Sequence, residues 1–120
     1  MELKNKVSLI TGAGQGIGEG IAQVLASHGS KVMIVDLNGE SAMRVVKEIN
    51  ALFPNSAEYF EADLTDSKAI KSMIQATLSK FTKLDCICNN AAASKGLGPV
   101  ENYSLEEVQA TLDLTFTSLW

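Results

Sequence analysis

Four glycines alternate at positions 12, 14, 16 and 18, within the stretch VSLITGAGQGIG that runs from Val7 to Gly18. Val7, Leu9 and Ile10 before them form a short apolar run with branched side chains, as a strand buried on both faces requires. Ile17, Ile21, Ala22 and Leu25 after them recur with helical spacing. The stretch therefore reads as strand, glycine turn and helix N-terminus. The unpaired N–H groups and the dipole of such a helix start favour an anion, and glycines let the backbone approach it closely.

Counting decides which glycine loop this is. A phosphate-binding P-loop ends in Gly-Lys, and no lysine lies between Lys6 and Lys31. The strict Gly-x-Gly-x-x-Gly fingerprint fails at Ile17 when started from Gly12, and at Glu19 when started from Gly14. Thr-Gly-x-x-x-Gly-x-Gly fits, through Thr11, Gly12, Gly16 and Gly18. Here the chain resembles the short-chain dehydrogenase/reductase family. The resemblance implies cofactor contacts along Gly12, Gly14, Gln15, Gly16, Ile17 and Gly18. By analogy with the dinucleotide fingerprint, Gly12 serves the tight turn, Gly16 lies against the pyrophosphate, and Gly18 lets helix and strand pack closely.

Lys31 to Asp36, KVMIVD, reads as a second buried strand ending in an acid. That acid follows Gly18 at about the distance where a dinucleotide fold places a carboxylate on the adenosine ribose. Such a group accepts hydrogen bonds from both ribose hydroxyls and repels a 2′-phosphate, while Leu37 and Asn38 supply no cation. On that reading the cofactor is NAD(H), with Asp36 and Leu37 at its adenosine end; the alternative is a solvated acid at a strand end. His28-Gly29 marks the end of the helix between the two strands. No second ligand sits at metal spacing from that single histidine, and no metal site is expected.

Ala42, Val45, Val46, Ile49 and Leu52 mark a second amphipathic helix with Arg44, Lys47 and Glu48 outward, broken at Pro54-Asn55. Glu58 to Glu61 is a short third strand, expected at the sheet edge. In the family an acid just after this strand contacts the adenine amino group, helped by the next backbone group. Asp63 and Leu64 match those positions, and Thr65 or Asp66 can equally cap the next helix. That helix carries the core stripe Ile70, Met73, Ile74, Thr77, Leu78 and Phe81.

Leu84 to Cys88 reads as a fourth strand, followed by Asn89-Asn90-Ala91-Ala92. Asn-Asn-Ala resembles the family's Asn-Asn-Ala-Gly motif, with Ala92 in the glycine's place. The resemblance puts Asn90 and Ala91 at the sheet brace and the adenosine ribose. Taken alone, two asparagines after a strand are a turn signal. Cys86 and Cys88 are expected to point to opposite faces of the strand, to share no metal or disulfide, and to be buried small apolar groups. Ser104 and Glu107 form a capping box for a last helix, with Leu105, Val108, Leu112 and Phe116 down one face towards Trp120.

Strands alternating with helices imply an α/β fold, a parallel sheet covered on both faces. Right-handed crossovers and a dinucleotide turn on the first strand favour the Rossmann-type order 3-2-1-4. With 120 residues, 46% of them apolar and 20% charged, the chain suits one domain with a packed core. A net charge of −4 with scattered basic residues argues against nucleic acid and anionic membrane as partners. No apolar segment has the length of a signal peptide or membrane span, so a cytoplasmic location is expected.

The family's chemistry is hydride transfer between nicotinamide and an alcohol or carbonyl carbon, using a Tyr-x-x-x-Lys pair and a serine. Tyr59 and Tyr103 are followed four residues on by Asp63 and Glu107, so the pair is absent and no catalytic residue is firmly named. Asp113 aligns with an asparagine that relays protons in the family, or is an ordinary polar residue of the last helix. Two readings stay open. One is the truncated, NAD-binding N-terminal part (residues 1–120) of a single oxidoreductase domain, acting on a small alcohol or carbonyl substrate and homo-oligomeric when complete. The other is a non-catalytic dinucleotide-binding module. The first implies that strand four has an open edge and that the chain alone self-associates.

Overall fold

The computed structural model describes residues 2–91. Its elements run β1 (Val7–Thr11), α1 (Gly16–Ser27), β2 (Lys31–Asp36), α2 (Gly39–Leu52), β3 (Ala57–Glu61), α3 (Ser67–Phe81) and β4 (Cys86–Cys88). The four strands pair in parallel in the order β3-β2-β1-β4. This is the expected order, with β3 at an edge. Ala92, the Ser104–Glu107 box, the last helix, Asp113 and the features that would decide self-association lie outside the described residues.

The two central strands, β1 and β2, are buried on both faces because their side chains alternate between two cores. Ile10, Val32 and Ile34 point to one side and pack with Ala22 and Ala26 of α1 and Ala42, Val45 and Ile49 of α2. Leu9, Met33 and Val35 point to the other side and pack with Met73 of α3, flanked by Ile70, Ile74 and Phe81. Register is strongly specified in such a sheet, since a one-residue slip would exchange the two sets of side chains. Ser8 is tolerated in this apolar strand because its hydroxyl lies 3.0 Å from that of buried Ser30.

Three expectations from helical spacing need correction. Ile17 is 78% exposed, since it sits on the open first turn of α1 and not on the buried stripe of Ala22 and Ala26. Leu52 is 75% exposed at the last residue of α2, and Phe53, just past it, packs on the core instead. Leu78 is 43% exposed, off the α3 face that buries Met73 and Thr77. The ends of the helices follow local chemistry. Gly29 takes φ +101° after α1, and Asn55 takes φ +61° beyond the end of α2.

The fourth strand is shorter than expected, three residues instead of Leu84 to Cys88. Cys86 is exposed and Cys88 half-buried, and they pair with Ser8 and Ile10 on one face of the sheet; residues two apart on a strand share a face, so the expectations of burial and of opposite faces are both corrected. Cys86 pairs with Ser8 on the face that α1 and α2 cover, but those helices lie over β1, β2 and β3. Leu84 packs against the α3 side. Asp85 replaces the strand's first rung with two bonds to Val7: its N–H donates to the Val7 carbonyl at 2.9 Å, and its carboxylate accepts from the Val7 N–H at 2.8 Å.

That N–H, followed by the Lys83 ammonium at 3.0 Å, holds the Asp85 carboxyl below its ordinary value. A folded-state value below the unfolded one means the contribution is present above about pH 4 and is lost as pH falls through the depressed value. Asp85→Asn is expected to flatten the acid limb of the stability curve. Denaturant titrations from neutral to acid pH check this, and an acid limb identical to that of the parent counts against it.

Candidate cofactor site

The site is assembled where the strands end. In an open α/β sheet, ligands bind beyond the carboxyl ends of the strands, where the strand order reverses. Here that point lies between β1 and β4. Thr11 ends β1 and Asn90 follows β4, and the two residues are bonded across it. The Thr11 hydroxyl accepts the backbone N–H groups of Asn90 and Ala91, both at 3.0 Å. The Asn90 amide donates to the carbonyls of Thr11 at 3.2 Å and Gly12 at 3.3 Å. Two side chains, one from each strand exit, thus hold the end of β1 against the end of β4.

Two constraints act on the glycines of the turn. Gly12 and Gly16 have φ +64° and +61°, a conformation disfavoured for residues with a Cβ. A Cβ on Gly16 would meet nothing within 4 Å, so this residue borders open space. Gly14 and Gly18 are required by close approach, which also applies to Gly12, whose Cβ would stand 2.9 Å from the Ala91 Cα. A Cβ on Gly14 would stand 2.8 Å from the Asp36 carboxylate, and one on Gly18 would stand 2.5 Å from both the Gly12 carbonyl and the Asn90 amide. Gln15, Gly16 and Ile17 form an exposed tip between the buried Gly14 and Gly18.

Helix α1 begins at this tip without a side-chain cap, since Gln15 at its N-cap makes no capping bond. By contrast, Asn38 caps α2 by accepting the Ser41 N–H, and Asp66 caps α3 by accepting the Lys68 N–H. An uncapped helix start beside open space suits an anion such as pyrophosphate.

Asp36, at the end of β2, faces the turn. One carboxylate oxygen accepts the Gly14 N–H and the other the Asn38 N–H, each at 2.9 Å. Beyond it a cavity of about 540 Å³ opens, lined by Asp36, Leu37, Asn38, Gly39, Glu40 and Glu61. Leu37 is 69% exposed there. The donor set, a half-buried acid, an apolar side chain and an uncapped helix start, fits an adenosine diphosphate group.

Asp63 bonds within its own turn and not to these residues. Its carboxylate accepts the Thr65 hydroxyl at 2.6 Å and the Thr65 N–H at 3.0 Å. Those two bonds, the hydroxyl's first, hold the carboxyl below its ordinary value. The cap of α3 is Asp66, so Asp63 is left to its own turn. Leu64 sends its side chain into the core beside Met73. Among the described residues no group of three His, Cys, Asp or Glu side chains is placed to hold a metal ion.

Sequence reasoning missed two participants. Thr11 was part of the motif without a role, although its hydroxyl joins the two halves of the site. Arg44 is more than the outward charge that its helix position suggests. Its guanidinium reaches back to the Gly14 carbonyl at 3.0 Å and to Glu19 at 2.9 Å, with Glu48 at 3.1 Å. The Glu48 contact is legible as an i,i+4 pair. The bonds to Gly14 and Glu19 join residues 30 and 25 apart, and no local pattern announces them.

The comparisons with known proteins agree with this geometry. The chain is 32% identical over 116 residues to 2,5-dichloro-2,5-cyclohexadiene-1,4-diol dehydrogenase of Sphingobium indicum, covering 97% of this chain and 45% of that one. Its fold matches a 3-ketoacyl-(acyl-carrier-protein) reductase from Brucella melitensis complexed with NADH, at TM-score 0.90 and 36% identity, covering 98% and 46% of the two chains. It also matches a metagenomic short-chain oxidoreductase in complex with NADP, at TM-score 0.87 and 30% identity, covering 98% and 53%. The chain spans about half the length of the relatives it matches. The family model for short chain dehydrogenases matches residues 6–120. With the parallel sheet, the glycine turn and the Thr11–Asn90 brace all in place, the chain belongs to the short-chain dehydrogenase/reductase family.

Proposed function

We propose that the protein is an NAD(H)-dependent oxidoreductase acting on an alcohol or carbonyl compound, and that residues 1–120 are the cofactor-binding part of a single longer domain. The observation that carries the NAD(H) reading is Asp36, whose carboxylate stands at the end of β2 against the Gly14 N–H. Related folds are known with NADH and with NADP, so the family alone leaves the choice open.

When bound, the nicotinamide accepts or supplies the hydride. This chain's residues bind and orient the other half of the cofactor. The start of α1, with Gly16 at its tip, receives the pyrophosphate. Asp36 accepts the ribose hydroxyls beside Gly14 and Leu37. The Asp63 carboxylate, helped by the backbone of Leu64, takes the adenine amino group, and Asn90 and Ala91 border the ribose from the β4 side. A carboxylate at this place disfavours a 2′-phosphate by like charge. Among the described residues no helix is long and apolar enough to cross a membrane. A cytoplasmic homo-oligomer completes the proposal.

Calorimetric titration of the full-length protein with NAD(H) and NADP(H), followed by a screen of secondary alcohols for reduction of NAD, tests the reading. Tighter NAD than NADP is expected, and failure to bind either dinucleotide would end it. The 120-residue chain alone, lacking any Tyr-x-x-x-Lys, is expected to show no turnover. NAD-dependent oxidation by that chain would contradict this division of labour.

A further inference from the structure

Gly14 has no side chain of its own to restrict its peptide groups, so its orientation depends on what grips its two polar atoms. Asp36 takes the N–H at 2.9 Å, and Arg44 donates to the C=O at 3.0 Å. Both partners belong to the β2–α2 unit, Asp36 as its last strand residue and Arg44 inside the helix. The turn after β1 is therefore fastened to the neighbouring strand and helix through one residue.

Arg44 is itself held. Glu19, in the first turn of α1, takes one guanidinium nitrogen at 2.9 Å, and Glu48 takes the other at 3.1 Å. Gln23 donates to the same Glu19 carboxylate at 3.2 Å. A planar guanidinium with forked donors can serve two carboxylates and a carbonyl at once, which a lysine ammonium does less well.

We propose that Arg44 is a positioning residue for the cofactor: by holding the Gly14 carbonyl it keeps the Gly14 N–H on Asp36 and so fixes the carboxylate that receives the adenosine ribose. The inference rests on the dinucleotide reading of the site. Arg44 touches no part of the cofactor in this role and acts through Gly14 and Asp36.

The test is a double-mutant cycle on NAD affinity in the full-length protein, using Arg44→Met, Asp36→Asn and the pair. Met keeps the aliphatic stem and removes the donors. Arg44→Met is expected to raise the Kd for NAD by about five- to tenfold, the size of one charge-assisted bond at a half-exposed site. In the Asp36→Asn background the same change is expected to cost less than about twofold, because coupled residues are not additive. Glu19→Gln, which leaves the arginine but loosens its anchor, is expected to give a smaller rise of the same kind.

A rise that is equal in both backgrounds, tracking only a fall in melting temperature, would reduce Arg44 to a structural ion pair and overturn the proposal. An unchanged Kd in Arg44→Met overturns it as well. If the parent protein binds no NAD, the dinucleotide reading itself fails and Arg44's role falls with it. If the parent binds NAD and Asp36→Asn weakens it while the cycle is additive, that reading stands and only the role of Arg44 is lost.

Discussion

Replacing Asp36 with serine in the full-length protein is expected to raise the Kd for NAD by about ten- to a hundredfold, as the loss of charge-assisted hydrogen bonds worth about 1.5–3 kcal/mol predicts. The same change is expected to narrow or invert the preference over NADP, because it removes the negative charge that opposes a 2′-phosphate. The loss has two parts. Direct bonds from the carboxylate to the ribose hydroxyls disappear, and the N–H groups of Gly14 and Asn38 lose the acceptor they share at 2.9 Å. Asp36→Asn separates them, since its single carbonyl oxygen can keep one of those N–H bonds while the charge is gone. Serine and asparagine variants that both lose NAD and gain NADP would assign the preference to charge. A parent protein that already prefers NADP would show the assignment to be wrong.

Gly18→Ala is expected to be strongly damaging through closeness alone. Its Cβ would stand 2.5 Å from the Gly12 carbonyl and 2.5 Å from the Asn90 amide, with Ala13 at 3.0 Å. Neither close neighbour can yield cheaply. The carbonyl belongs to the turn, and the amide is spent on the Thr11 and Gly12 carbonyls. Overpacking of this kind costs about 1–3 kcal/mol, and here a clash with backbone puts the expectation at about 3 kcal/mol.

Because relief of the clash must push α1 away from β1 or Asn90 away from the turn, dinucleotide binding is expected to fall along with the melting temperature. Gly20→Ala, two residues on in the same helix, is the control. Nothing lies within 4 Å of its Cβ, and removing a glycine from a helix interior is expected to stabilise by about 0.5–1 kcal/mol. Thermal melts and NAD titration of both variants check the pair. Equal effects at the two positions would mean that the contact at Gly18 is relieved without cost.

The order of elements was legible because it depends on signals with a short reach. Apolar runs of strand length, 3.6-residue stripes and glycine or proline breaks are all local, and their alternation leaves a parallel sheet as the simplest packing. The strand order followed from handedness and from the glycine turn on the first strand. What failed was the burial of particular side chains on a stripe. Ile17, Leu52 and Leu78 have the right spacing but lie at a helix start, a helix end and off the packed face. Cys86 has a buried residue's chemistry on a strand whose covering helices stand over its neighbours.

For the site, the residue types and their order are readable along the chain: the glycine turn, the acid ending β2 and the asparagine after β4. These are set by spacing along the chain, which a sequence states directly. The motif gave Gly18 a close packing but not its partners; only the tertiary structure sets the Gly12 carbonyl and the Asn90 amide beside Gly18, and the Asp36 carboxylate beside Gly14. It also turned Arg44 from an outward helix charge into the group that holds the Gly14 carbonyl. One cause underlies both cases. A hydrogen bond or a clash acts over about 3 Å of space, whatever the separation along the chain, and folding brings residues 30 or 72 apart in sequence to that distance.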